Sequence, residues 1–109
     1  MKLAPLNGGE FEPVRSAELD MAVARSLAAA SGGDVNALFD LGVAFSTGSN
    51  GVTCDLIEAH KWFNIAASRG HDDAAGCRAD ISDEMTAREI SEAQRRARQW
   101  LCENTRRAA

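Results

Sequence analysis

A thiol becomes a nucleophile when a base stands beside it, and this chain offers two histidines, His60 and His71, against three cysteines, Cys54, Cys77 and Cys102. None of the five lies in a recognisable catalytic motif, so both histidines read as ordinary surface residues and the sequence points away from an enzyme. A zinc site assembled from Cys54, His60, His71 and Cys77 lacks the close Cys-x-x-Cys or His-x-x-x-His spacing that pins two ligands on one element. No metal and no other cofactor is expected. Neither G-x-x-x-x-G-K-(S/T) nor G-x-G-x-x-G follows a strand, which removes phosphate cradling of those two kinds. Three cysteines without close pairs fit reduced thiols in the cytoplasm better than a disulfide framework.

Charge carries more information than any single reactive residue. The net charge is −4. Residues 1–85 sum to −7 and residues 86–109 to +3. The basic end contains Arg88, Arg95, Arg96, Arg98, Arg106 and Arg107, with Trp100 as the only aromatic platform among them. Nucleic acid is therefore disfavoured as a partner, and a solvated helix face with Glu92 paired to Arg95 or Arg96 is expected. Asp72, Asp73, Asp80, Asp83 and Glu84 crowd one short stretch, which likewise reads as a solvated acidic face. No segment approaches the ~20 apolar residues of a membrane span, and the first residues lack the apolar stretch of a signal peptide.

Alanine fills 20 of 109 positions, tyrosine is absent and only two prolines occur, a balance that favours helix over sheet. Residues 1–14, with Pro5, Gly8, Gly9 and Pro13, read as a mobile leader, 15–104 as one all-α domain and 105–109 as a flexible tail. Leu19, Val23 and Leu27 recur every fourth residue in a first helix that Ser31, Gly32 and Gly33 end. Asp34 caps a second helix, reaching about Thr47, with Leu38, Leu41 and Phe45 as its buried stripe. Asp55 and Glu58 form a D-x-x-E variant of the capping box for a third, with Ile57, Trp62, Ile65 and Ala66 inward and Gly70 as its stop. His71 or Asp72 opens a fourth, ending near Met85. Thr86 and Glu89 box the start of a fifth, whose inward face is Ile90, Ala93, Ala97, Trp100 and Leu101.

An internal echo organises these helices. Ala66-Ala67-Ser68-Arg69-Gly70 repeats Ala28-Ala29-Ala30-Ser31-Gly32, and Ala37 and Ala74 stand 37 residues apart. The pattern A-x-x-x-L-G-x-x-(Y/F) is met by Ala37, Leu41, Gly42 and Phe45, and G-V-x-x-D by Gly51, Val52 and Asp55. A-x-x-W-(Y/F)-x-x-A-A-x-x-G-x-x-x-A is met by Ala59, Trp62, Phe63, Ala66, Ala67, Gly70 and Ala74. On these residues the chain resembles the Sel-1-like repeat family, tetratricopeptide-like helix pairs, and its ending is similar to that of short bacterial members. The turn between Gly48 and Gly51 is one residue longer than the commonest family length, which accounts for a period of 37. The resemblance implies a short α/α solenoid of about five helices. In it, Gly42 lets a neighbouring helix approach closely and Trp62 fills core space. Arg78 and Ala79 replace the repeat's leucine and glycine, which implies a rotated fourth helix.

In stacked pairs of this type the first helix of each pair lines the concave side. The positions opposite the second helix's stripe are Asn36, Asp40, Val43 and Thr47; 37 residues on stand Asp73, Cys77, Asp80 and Glu84. If the fourth helix instead follows Ile81 and Met85, Asp72 and Asp83 join that face. Either way the expected groove is acidic and its partner a basic protein segment or peptide. The resemblance thus implies a protein-protein interaction module, a scaffold or adaptor; the alternative is a self-associating structural subunit, a homo-oligomer formed through exposed repeat ends.

Overall fold

The computed structural model describes residues 21, 23–49 and 51–108, with the side chains of 105–108 left aside. The expected leader, together with Leu19, falls outside them. Among the described residues every regular element is helical: α1 over 23–31, α2 Val35–Thr47, α3 Leu56–Ser68, α4 Ala74–Ser82 and α5 Ala87–Ala108. None of the helices is long and apolar enough to cross a membrane.

Helix α3 is the hub, packed against α2, α4 and α5. That position explains why its inward set exceeds a single stripe. Ala59, His60, Trp62, Phe63, Ile65 and Ala66 are all buried, whereas Ile57 is only half-buried. His60, expected at the surface, is 3% exposed because its side of α3 is covered. On α2 the buried set is Ala37, Leu38, Leu41, Gly42 and Ala44, with Phe45 half-buried at the rim. A Cβ at Gly42 would stand 2.5 Å from Cδ1 of Phe63, so the missing side chain is what lets the Phe63 ring lie against α2.

Between α3 and α5, Glu58 meets Arg96 (2.7 Å) and Trp62 meets Trp100 edge to face (centroids 5.6 Å apart). Both contacts advance by four residues on each helix, so the two helices run parallel, with the short α4 returning between them. Ala93 and Ala97 are buried and Ile90, Trp100 and Leu101 half-buried, as the fifth helix's spacing requires.

The helix corners follow local chemistry. Asp34 accepts the amides of Asn36 (3.0 Å) and Ala37 (3.2 Å), and Asp55 those of Ile57 (3.1 Å) and Glu58 (3.2 Å). The box expected at Asp55 stays open. The Asp55 amide is already held by the Phe45 carbonyl (2.9 Å), and Glu58 turns to Lys61 and Arg96 instead. At α5 the box closes: the Thr86 amide donates to Glu89 (2.8 Å) and the Glu89 amide to the Thr86 hydroxyl (3.1 Å). Closing it requires a non-helical Thr86; α4 ends earlier still, at Ser82, short of the expected Met85. Residues 83–85 turn, with the Glu84 and Met85 amides reaching back three residues.

One corner occurs twice. The Asp34 amide donates to the Ala29 carbonyl (3.0 Å), the Gly33 amide to Ala30 (3.0 Å), and the Asn36 amide to the side chain of Asp34. Thirty-seven residues later the His71 amide donates to Ala66 (3.0 Å), the Gly70 amide to Ala67 (3.0 Å), and the Asp73 amide to Nδ1 of His71 (3.2 Å). Gly33 (φ 98°) and Gly70 (φ 93°) take the left-handed conformation in the two corners, as the terminating hydrogen-bond pattern demands.

Candidate functional site

The second corner opens onto the surface. Val35 and Asn36 from the first turn of α2 face Arg69, Gly70, His71, Asp72 and Asp73 across a shallow, open cleft of about 370 Å³. Its geometry follows from the corners. Capping by Asp34 exposes the start of α2, and the left-handed Gly70 swings the chain across it. The His71 ring stacks on Phe39 of α2, with centroids 4.1 Å apart and planes 6° from parallel, which ties the floor of the cleft to α2. Phe39 in turn packs against Phe63 at 5.5 Å, linking the cleft to the core.

Of the residues expected on the acidic face, Asn36 and Asp73 line this cleft, together with Asp72, expected there for a rotated fourth helix. Asp40, Thr47, Asp80 and Glu84 are exposed away from its lining, and Val43 is half-buried. The Thr47 hydroxyl bonds to the Val43 carbonyl (2.8 Å) and to Ser49 (2.9 Å). Glu84 belongs to the turn after α4. Cys77 packs beside the core with Ile81, where burial pushes its thiol pKa up, helped by Asp80 and Asp73. The rotation of α4 is visible in which positions turn inward. The counterparts of buried Leu38 and Gly42 are Ala75 and Ala79, both exposed, whereas Cys77, counterpart of exposed Asp40, lies half-buried. Half-buried Arg78 donates to Asn64 on α3 (2.8 Å) from the place that Leu41 occupies in α2.

The rest of the charge is partly spoken for. Arg95 and Arg96 clamp Glu92 at 2.7 and 2.8 Å and hold its carboxyl down to about 2, while Arg96 also reaches Glu58. This bears out the solvated, internally paired face expected for α5. Lys61 lies over the Trp62 ring at 4.2 Å and Arg69 over Trp100 at 5.9 Å, outside hydrogen-bond range. His60 is disfavoured as a cation by burial first and by Arg78 second, which lower its pKa. Among the described residues no group of three or more His, Cys, Asp or Glu side chains converges as a metal site would require.

Spacing arguments missed Val35, Arg69 and His71 as surface partners of one another. The signal for them was present. Gly33-Asp34 and Gly70-His71 stand at the same offset in the repeat, which sets a histidine where the first corner has a capping carboxylate. Comparisons of the chain with models of known protein families, with curated proteins and with solved structures return no match.

Proposed function

We propose that the chain is a short α/α solenoid of tetratricopeptide-like, Sel-1-like helix pairs that works in the cytoplasm as a protein-interaction module. The observation that carries this reading is the corner duplicated at Gly33 and Gly70, with all three hydrogen bonds reproduced 37 residues apart. Recurrence of a whole corner supports a repeated unit, and repeated helix pairs present extended surfaces suited to segments of other proteins. The partner segment is basic. Asp40, Asp73 and Asp80 are exposed on α2 and at or near α4, and exposed carboxylates attract a Lys/Arg-rich partner. The three free thiols, Cys54, Cys77 and Cys102, agree with a reducing compartment.

The test is capture of partners from native cell extract on the full chain and on Asp40→Lys/Asp80→Lys, followed by titration of a fragment of whatever is captured. Binding should weaken in that variant more than in Arg95→Glu/Arg98→Glu. It should also fall between 0.01 and 0.15 M salt, as the screening length shrinks from ~30 to ~8 Å. Binding that needs the arginines and ignores the aspartates refutes the placement. A second reading, self-association, draws on Met21 (60% exposed), just before α1, and Leu27 (39% exposed) on it, large apolar side chains left open. A stable dimer in sedimentation without added partner would favour it.

A further inference from the structure

The two corners differ in the group that accepts the amide two residues on and in where the next helix begins: Asp34 is itself the N-cap of α2, whereas α4 starts three residues after His71, with Asp73 as its N-cap. At the first, a carboxylate of Asp34 accepts the amide two residues on; at the second, Nδ1 of His71 does so. A carboxylate has lone pairs to offer throughout the near-neutral range. An imidazole accepts at Nδ1 only while it is neutral and carries its proton on Nε2. We propose that His71 is a proton-sensitive latch that ties the start of α4 to α2, so that acidification frees α4 and remodels the cleft while leaving α2 capped.

Protonation places an N–H on Nδ1, facing the amide of Asp73 donor to donor, and the bond that fixes the N-cap residue of α4 is lost. The next backbone bond of α4, from the Cys77 amide to the Asp73 carbonyl (3.1 Å), is then the first to fray. Nothing else in the corner compensates. Asp73 itself makes no side-chain capping bond, and α4 has only nine residues, too short to hold its ends by propensity. The groups facing the ring are Arg69 from the end of α3 and Asp72 and Asp73 from the start of α4, while α2 contributes the non-titrating Val35, Asn36 and Phe39. The two aspartates attract the charged ring and Arg69 repels it, and none of the three restores the acceptor. Because the His71 ring is also one face of the Phe39 stack, the loosening reaches the wall of the cleft.

The experiment is amide hydrogen exchange by NMR on the full chain from pH 7.5 to 5 (about the range in which imidazoles titrate), corrected for intrinsic rates, with the His71 ring resonances followed in the same samples. Protection at Cys77 and Arg78 should fall by about fivefold, the worth of one typical hydrogen bond, along the same curve as the His71 ring titration. Protection of α2, capped by Asp34, should fall only by the global loss that buried His60 brings, so that the extra fall at Cys77 and Arg78 measures the local release. In His71→Asn, whose amide oxygen accepts at every pH, α4 protection should follow that of α2 across the range, with no extra fall. Protection at Cys77 that ignores the His71 titration, or that falls equally in His71→Asn, overturns the proposal.

Discussion

Gly42→Ala and Gly76→Ala are the same chemical change in two helices, and the structure gives them opposite signs. Alanine in place of a mid-helix glycine is worth up to about 1 kcal/mol of added stability, through the unfolded chain's lost freedom and the better helix former. At Gly76, exposed on α4, a new Cβ meets nothing within 4 Å, so this gain is realised and Gly76→Ala should raise stability by about 0.5–1 kcal/mol. At Gly42 the same methyl would stand 2.5, 2.6 and 3.0 Å from Cδ1, Cε1 and Cγ of Phe63. Ordinary carbon contacts lie near 3.5–4.0 Å, so helix and ring must part by roughly 1 Å. Phe63 is 2% exposed and backed by Phe39, and has nowhere to retreat. Overpacking costs about 1–3 kcal/mol, and three contacts at or below 3.0 Å on a buried ring belong in the upper part of that range, so a net loss of about 1–2 kcal/mol remains after the propensity gain. For a domain of this size that is a drop in Tm of roughly 4–8 °C, against a rise of a few degrees for Gly76→Ala. Thermal unfolding followed by circular dichroism reads both. Adding Phe63→Leu to Gly42→Ala should recover part of the loss as a coupling of at least about 0.5 kcal/mol. A Gly42→Ala protein as stable as the parent, or two alanine variants shifting in the same direction, would refute the reasoning.

Other outcomes follow from the corners and the charges. The lowered pKa of His60 means that as pH falls below about 6.5 the unfolded chain takes up a proton the folded chain refuses, so stability should decline with acidity by up to about 1.4 kcal/mol per pH unit until the folded form also protonates. His60→Leu should flatten the stability profile between pH 7 and 5, and equal slopes in the two proteins would contradict the assignment. Thr86→Ala removes one half of a closed capping box and should cost about 1 kcal/mol in urea unfolding, whereas Ser91→Ala on the exposed face of α5 should cost little. Arg96→Met should destabilise more than Arg98→Met, because Arg96 joins α5 to Glu58 of α3 while Arg98 is exposed; equal unfolding midpoints would show the inter-helix bridge to be idle.

What could be read from residues alone was what depends on neighbours a few positions away. Asp34, Asp55 and Thr86 mark their helix starts because the groups they satisfy lie two or three residues on. Gly33 and Gly70 mark stops because a left-handed residue is a local requirement. The faces of α2 and α5 followed from the helical period, since each is covered mainly on one side. Tertiary packing decided the rest. Phe63 and His60 are buried because α3 is covered by three helices, which its own spacing cannot tell. Glu58 abandoned its box because the Phe45 carbonyl, ten residues away, had already taken the Asp55 amide. The exposed residues expected to form one acidic groove were in part separated, because α4 turned Cys77 and Arg78 toward α3 and stopped before Glu84. Which side chains meet across the cleft was set by the stacking of His71 on Phe39, a contact between residues 32 apart that depends on how α2 and the end of α3 are brought together.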